Sequence, residues 1–237
     1  MIELLDITIL LGLFALFSSG PLNNLTRTKF NLINNNNNII YFNLILNLNI
    51  LLVLSILPLK LSNYIYLFYV ILFLFFISNY YPSLSKNKFK NFYPNLIIFF
   101  LIYFIISIDI SEKLDLSWDA KWFWYIKSLY FYQDNSLKEL ALYQFNDFHP
   151  HFGSYIWAFF RTLSIYEYEY YGRLFYVFLY LCALLLITKD LFKKNTHNIL
   201  IFLIVVIINY KYYFVSGIQE VLLFSLLIFK SKFIFDY

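Results

Sequence analysis

Charged residues and cysteine are both scarce in this chain of 237 residues. Asp, Glu, Lys and Arg make up 14% of it, whereas ordinary globular domains have about a quarter, so an ordinary soluble domain is excluded. The one cysteine, Cys182, lies in an apolar run, which excludes a disulfide framework and a thiolate metal site. Its expected role is that of a small buried apolar residue.

Motifs that bind nucleotides or activate a nucleophile are also missing. The chain has five glycines, and they form neither a phosphate loop, nor a dinucleotide fingerprint, nor a nucleophile elbow. The formal net charge is +4, but the basic residues are scattered along the chain instead of forming a patch. We therefore expect no nucleic-acid partner.

What the chain does have is apolar sequence: 61% of the residues are hydrophobic and 24% are aromatic. A helix crosses a bilayer core with about 20 apolar residues, with a range of roughly 17 to 25. We predict an all-α polytopic membrane protein whose partner is the lipid bilayer. The candidate spans are 3–18, 39–57, 63–80, 95–110, 172–188, 198–215 and 217–235, and a shorter apolar stretch covers 151–165.

The distribution of lysine and arginine predicts how these spans are oriented. Cytoplasmic loops accumulate basic residues. The basic residues concentrate in loops 19–38, 81–94 and 189–197 and near the C-terminal end: Arg27, Lys29, Lys86, Lys88, Lys90, Lys189, Lys193, Lys194, Lys230 and Lys232. With these inside, the N-terminus and the acidic loop that follows residue 110 lie outside.

This orientation requires that the stretch 151–165 does not cross the membrane. Its helical wheel separates an apolar arc from a more polar one, which is typical of a helix lying in the membrane interface. The apolar arc is Phe152, Tyr155, Ile156, Phe159, Phe160 and Leu163, and the opposite arc is Ser154, Ala158, Arg161 and Thr162. We predict about seven transmembrane helices and one long outer loop that carries amphipathic interfacial helices.

The start of the outer loop contains the first candidate catalytic residue. Ser117 is a plausible N-cap, and a helix from Trp118 would place Asp119 inside an arc of apolar residues. That apolar arc is Trp118, Trp122, Tyr125, Ile126 and Leu129. Burial there would raise the pKa of Asp119 and make it a better general base.

Asp119 and the tryptophans of this loop each also have a purely structural interpretation. An aspartate near a helix N-terminus is stabilised by the helix dipole and by a nearby lysine such as Lys121 or Lys127. The loop's tryptophans, Trp118, Trp122 and Trp124, could stack on a sugar ring or a prenyl chain, but an aromatic belt at the membrane surface is the more frequent explanation.

His149-Pro150-His151 ends the loop, with Asp147 just upstream. Two histidines and an acid could bind a divalent cation, but Pro150 favours an extended backbone that splays the rings apart, and no third ligand is fixed by the spacing. A polar contact between His149 and a substrate is the preferred interpretation.

Two ionisable positions at the outer ends of spans complete the candidates. Glu220 opens the last span beneath Lys211, and such acids are functional candidates or form an ion pair. Arg173 opens the span 172–188 and could hold a phosphate through its planar guanidinium. Its structural alternative is an interfacial anchor paired with Glu167 or Glu169.

The order of these features resembles the conserved module of GT-C type membrane glycosyltransferases. That superfamily includes oligosaccharyltransferase catalytic subunits, protein mannosyltransferases and the aminoarabinose transferases of lipid A. The resemblance rests on Trp118-Asp119 after a span, His149-Pro150, Arg173, Lys189-Asp190 and the Gly217-to-Glu220 turn. It covers residues 95–237, with outer loop 109–171, and leaves 1–94 as an N-terminal three-helix membrane region.

The resemblance implies transfer of a sugar from a polyprenyl-phosphate donor to a glycan, lipid or protein acceptor on the outer face of a bacterial inner membrane. Asp119 would be the catalytic acid of the first outer loop. Glu220, where the family usually has Asp, would hold a divalent cation such as Mg or Mn, together with Asp119, or the donor phosphate. The candidate substrate-binding residues are Trp118, Lys121, Trp122, Lys127, His149, Arg173 and Lys211.

Two other functions compete with the enzyme. Members of the family usually continue with further spans. The alternatives are therefore a truncated chain, an inactive relative, or one half of a split enzyme that a second membrane subunit completes. A noncatalytic membrane subunit is therefore one competing prediction. A lipid or sugar transporter of the flippase type is the other, although the first four spans are nearly uncharged.

Overall fold

The computed structural model describes residues 2–21, 36–84, 93–113, 115–142, 150–166, 168–188, 191, 195–210, 217 and 219–235. These residues form helices and turns, without a strand, which confirms the predicted all-α class. The α-helices are α1 (Ile2–Phe17), α2 (Asn36–Ile56), α3 (Ile65–Leu84), α4 (Tyr93–Lys113), α5 (Ile126–Tyr132), α6 (Leu137–Leu142), α7 (Phe152–Thr162), α8 (Tyr170–Thr188), α9 (Asn195–Asn209) and α10 (Glu220–Phe235). A 3-10 turn, Leu61–Asn63, precedes α3, and a π-helical segment, Ala120–Tyr125, precedes α5.

Each of the seven predicted apolar stretches overlaps a helix: α1, α2, α3, α4, α8, α9 and α10. Residues 211–215 of the stretch 198–215 lie outside the described residues. Long apolar runs are the strongest sequence signal for a helix, because they are too long for strands. Among the described residues, α8 alone is both long and apolar enough to cross a membrane, and 83% of its apolar window is buried inside the protein. Shorter apolar helical stretches are Leu5–Phe17, Tyr41–Ile56, Ile65–Ser78 and Asn195–Asn209.

Helix α8 is the central element of the fold. It contacts α1, α4, α7, α9 and α10, and all of its residues except Cys182, Leu185 and Ile187 are buried. A helix that is apolar on every side is stable when other helices cover it on every side. The side chain of Cys182, expected to be buried, is only partly buried.

An aromatic cluster joins α8 to α7 and α1. The rings of Phe160 and Phe175 stack with centroids 3.9 Å apart. Phe14 meets Phe160 edge-on at 5.0 Å, and Phe17 meets Phe175 edge-on at 5.2 Å. Aromatic pairs in these geometries contribute about 0.5–1.5 kcal/mol each beyond the area they bury.

The ends of several other helices lie around α7 at one end of the bundle. We call this region the α7 end. Ser55, in the last turn of α2, contacts His151 at the start of α7, with 3.0 Å between Oγ and Nε2. Near the N-terminus of α8, the Tyr176 hydroxyl donates to the Gly153 carbonyl at 2.5 Å.

Two further helices terminate there. Gln219, just before α10, donates through its amide nitrogen to the Ser154 hydroxyl at 3.3 Å. Asp115, just after α4, accepts a hydrogen bond on its carbonyl from Arg173 in the first turn of α8, at 2.8 Å. The α7 end therefore holds the C-terminal ends of α2 and α4 and the N-terminal ends of α8 and α10.

The exposed polar face predicted for 151–165 is wrong. The helix forms as expected, but Ser154 and Ala158 on that face are each 0% exposed. Helix α7 packs against α5 and α8, and Gln219, just before α10, contacts Ser154 on the polar face. A helical wheel describes one helix at a time and cannot show that a second partner covers the polar side.

Large apolar side chains remain exposed on the outer helices. They line α1, α2, α3, α4, α9 and α10 and include Leu5, Val53, Tyr66, Leu67, Val70, Leu74, Ile97, Leu101, Ile105, Leu200, Ile207, Ile208, Leu223 and Leu227. Extensive exposed apolar surface of this kind marks contact with lipid or with another protein.

Replacing Gly172 with alanine should destabilise the fold. A Cβ there would lie 2.2 Å from Trp157 Cδ1 and 2.5 Å from the Trp157 carbonyl oxygen, so α7 and α8 would have to separate. We expect Gly172→Ala to lower the free energy of unfolding by about 3 kcal/mol, measured by thermal unfolding in detergent.

The matched control is Gly12→Ala on α1, where a Cβ would meet nothing within 4 Å. Alanine at that position should stabilise the helix by about 0.5–1 kcal/mol, because glycine loses more backbone freedom on folding. Equal midpoints for the two variants would contradict the close α7–α8 contact.

Candidate functional site

Ser117 caps the segment that carries Asp119, as predicted. Its Oγ accepts a hydrogen bond from the Ala120 backbone N–H at 3.1 Å, and its carbonyl accepts one from the Lys121 backbone N–H at 2.9 Å. Helical structure begins at Trp118 and passes into the π-helical segment.

The expected burial of Asp119 is wrong. Asp119 is exposed, and its neighbours Trp118 and Trp122 are 67% and 51% exposed. The residues that face the protein are instead Ala120, Trp124, Lys127, Ser128 and Phe131. The buried residues Ala120, Trp124, Lys127 and Phe131 are spaced by four, three and four positions, so they form one helical face, and the segment packs on the side opposite to Trp118 and Trp122.

Asp119 and Glu220 lie on adjoining segments. Gly217, which has a left-handed φ of 71°, packs so closely that a Cβ there would lie 2.9 Å from Leu116 Cδ2 and 3.3 Å from Ala120 Cβ. Asp119 precedes Ala120 in the chain, and Glu220 follows Gly217 by three residues and is exposed. The structure thus brings together the segments of the two acids that the sequence singled out.

Arg173 is not available to a phosphate as expected. It is 1% exposed, and its guanidinium donates to the Asp115 carbonyl at 2.8 Å and to the Glu169 carboxylate at 2.9 Å. The alternative interpretation, an anchor paired with Glu169, is the one observed. Arg173 therefore fixes the chain just before the segment that carries Asp119.

Glu169 is held on several sides at the start of α8. Its carbonyl accepts a hydrogen bond from the Trp157 indole N–H at 2.9 Å. Burial raises the pKa of its carboxyl above the usual range, and attraction to Arg173 and Arg161 offsets part of this rise. The guanidinium of Arg161 also lies over the Tyr132 ring, 4.1 Å from the centroid, in a cation–π contact.

Lys127 is buried too, with 3% of its surface exposed, whereas the helical wheel placed it opposite the apolar arc. Its positive charge lies close enough to His151 to disfavour protonation of the imidazole. Burial first, and the Lys127 charge second, hold the pKa of the His151 imidazole below its usual range.

The contact between Ser55 and His151 is structural. The Ser55 hydroxyl donates its proton to the Leu52 carbonyl at 2.7 Å, so towards His151 Nε2 it can only accept. We assign the Nε2–H tautomer to His151 on this basis. A serine whose proton is held by a carbonyl is not activated as a nucleophile by that histidine.

Of the remaining predicted substrate-binding residues, one is exposed at the surface and two lie outside the residues that the structure describes. Lys121 is exposed beside Trp122, while His149 and Lys211 lie outside the described residues. Within the described ranges, no group of three or more His, Cys, Asp or Glu side chains is placed to hold a metal ion. Metal binding by Asp119 and Glu220 stays a prediction.

Sequence reasoning missed the packing of α5 against the start of α7. The Phe131 ring lies 5.1 Å from the Tyr155 ring and 6.3 Å from the His151 ring, although these residues are distant in the chain. The available signal was the four-residue spacing of His151 and Tyr155, which puts them on one face of a helix.

Comparisons with protein-family models, curated proteins and solved structures find no match.

Acid should destabilise the protein through His151. Its folded-state pKa is lowered, so the unfolded state binds the proton more tightly, and the stability that neutral His151 contributes is complete above about pH 6.5 and is lost as the pH falls below it. His151→Gln keeps a side-chain N–H donor without a titrating ring.

We therefore expect the fall in unfolding midpoint between about pH 7.5 and about pH 5 to be smaller in His151→Gln than in the wild type. Thermal unfolding across this pH range measures the difference, and His197→Gln, at an exposed position on α9, is the control. Identical pH profiles for wild type and His151→Gln would show that this histidine is not the group responsible.

Proposed function

We propose that the protein is a polytopic membrane glycosyltransferase that moves a sugar from a polyprenyl-phosphate donor to an acceptor at the α7 end. The observation that carries the proposal is the packing of Gly217 against Leu116 and Ala120, which sets the segments of Asp119 and Glu220 side by side. Two acids on adjoining segments suit a reaction in which an acceptor loses a proton and a phosphate leaves.

The exposed surface supports an intramembrane location. The apolar side chains on the outer helices form faces that water would not favour and lipid would. Four of these six outer helices, α1, α4, α9 and α10, contact the buried α8, so these spans would pack around one central span.

The arrangement of helix ends supports an outward-facing site. The basic loops predict that α2 and α4 end outside and that α8 and α10 begin outside. These are the four ends that meet at the α7 end, where Asp119 and Glu220 also lie.

In the proposed reaction, the acceptor hydroxyl gives its proton to the Asp119 carboxylate while its oxygen forms a bond to the anomeric carbon of the sugar. The bond from that carbon to the phosphate oxygen breaks, and the lipid phosphate leaves with the electron pair. Exposed Trp118 and Trp122 beside the acid offer aromatic faces for the sugar or the prenyl chain.

The two acids also fit a magnesium-type site, since Mg²⁺ is often bound by one or two carboxylates together with substrate phosphates. A bound cation would stabilise the negative charge of the leaving phosphate. Asp119 and Glu220 are both exposed, so their carboxylates are accessible to such an ion.

Asp119→Asn should abolish transfer, because asparagine cannot accept the proton. We expect the rate of transfer from a labelled polyprenyl-phosphate sugar to fall by about 100-fold or more in membranes that contain the variant at wild-type level. Glu220→Gln should lower the rate and alter its dependence on added Mg or Mn.

The control is Glu112→Gln, another exposed acid at the end of α4. It should leave transfer unchanged. Wild-type activity that survives Asp119→Asn would reject Asp119 as the base.

A noncatalytic membrane subunit is the second candidate. The observation in its favour is that Lys127 and Arg173, two of the cations expected to contact the donor, are 3% and 1% exposed and belong to the interior. A wild type that transfers no sugar from any candidate donor, with Mg and Mn present, supports this alternative.

A further inference from the structure

The backbone of Glu169, just before α8, is fixed by Trp157. The indole N–H of Trp157 donates to the Glu169 carbonyl at 2.9 Å. The other ring of the indole faces Gly217, where an added Cβ would lie 3.2 Å from Trp157 Cη2. Because Trp157 is fully buried, it holds Glu169 at a set distance from the segment that leads to Glu220.

The side chain of Glu169 reaches the segment of the other candidate acid. Nη2 of Arg173 donates to the Glu169 carboxylate at 2.9 Å, and Nη1 of the same guanidinium donates to the Asp115 carbonyl at 2.8 Å. Asp115 lies four residues before Asp119, and Ser117 between them caps the helical turn that begins there. Glu169 is therefore connected, through one residue on each side, to the segments of both acids.

The ion pair between Glu169 and Arg173 is enclosed by the protein. The two side chains are 16% and 1% exposed. Because a buried ion pair adds little stability over apolar side chains of similar size, stability alone does not account for its presence. The guanidinium presents its donors in a rigid planar fork, which fixes the separation of the two groups that it binds.

We propose that Glu169 is a positioning residue for Asp119. Its carboxylate orients Arg173, which in turn holds the Asp115 carbonyl and the start of the segment that carries Asp119. Trp157 fixes Glu169 itself against the segment of Glu220, so the two acids keep their relative position. The inference rests on the proposed function for the role of the acids, whereas the order of the Asp119 segment can be measured without any reaction.

The test is amide hydrogen exchange of the full-length protein in detergent, read by mass spectrometry. The peptide to follow covers residues 116–121, because the N–H groups of Ala120 and Lys121 bind Ser117 and exchange when this turn opens. Glu169→Gln keeps the size of the side chain and the backbone carbonyl but removes the charge. We expect exchange in this peptide to become about tenfold faster, since a hydrogen bond between charged groups contributes enough for such a change.

A second variant and a matched control accompany it. Arg173→Lys keeps the positive charge but cannot bind two groups through two separate nitrogens, so exchange in the same peptide should also become faster. The control is Lys113→Gln, which removes another ion pair between side chains four residues apart, that of Lys113 with Asp109 at the end of α4. This control should leave the exchange of residues 116–121 unchanged.

Exchange in the core of α8, at residues 174–181, separates positioning from a general loss of stability. Faster exchange at 116–121 with a wild-type rate at 174–181 supports the proposal. The proposal fails if residues 116–121 exchange at the wild-type rate in both Glu169→Gln and Arg173→Lys. It also fails if the two regions become faster by the same factor in both variants, because Glu169 would then only stabilise the fold.

Sugar transfer gives a second readout. We expect Glu169→Gln to lower the rate about tenfold, because a displaced catalytic group reacts more slowly, and Lys113→Gln to leave it unchanged. A wild-type rate in Glu169→Gln together with faster exchange would overturn the link to catalysis. A wild type that transfers no sugar rejects the proposed function, and the exchange of residues 116–121 still decides whether Glu169 positions the segment.

Discussion

The structure depends on the close approach of α7 and α8 at Trp157. The Trp157 side chain is completely buried, Gly172 has no side chain to hold α8 away from it, and Gly217 packs against its outer edge. The indole N–H also binds the Glu169 carbonyl, which fixes where α8 begins. Three separate pieces of chain, namely α7, the start of α8 and the Gly217 segment, thereby meet at one side chain, and a close-packed core tolerates little added volume at such a contact.

The polar groups of the α7 end are arranged around this contact. Arg173 lies one residue after Gly172 and uses its guanidinium to bind both Glu169 and the carbonyl of Asp115. A buried charge is tolerated when it is paired and hydrogen-bonded, and here the pairing also anchors the chain that leads to Asp119. The position of the candidate acids is therefore a consequence of helix packing and of one internal ion pair.

The chain separates its polar groups into two environments. Asp119 and Glu220 are exposed at the surface, where they can meet a substrate, whereas Lys127, Ser128 and Tyr155 are buried and His151 is partly buried.

The sequence by itself determined the helical class and the locations of the seven long apolar helices, because continuous apolar runs identify helices without reference to any partner. It also determined the Ser117 cap, which is a local interaction. Tertiary structure decided which faces are buried: Ala120, Trp124 and Lys127 face the protein while Asp119 is exposed, and Ser154 and Ala158 on the polar face of α7 are buried. It also decided that Lys127 and Arg173 lie inside, because burial depends on neighbours that are distant in the chain, which periodicity within one helix does not report.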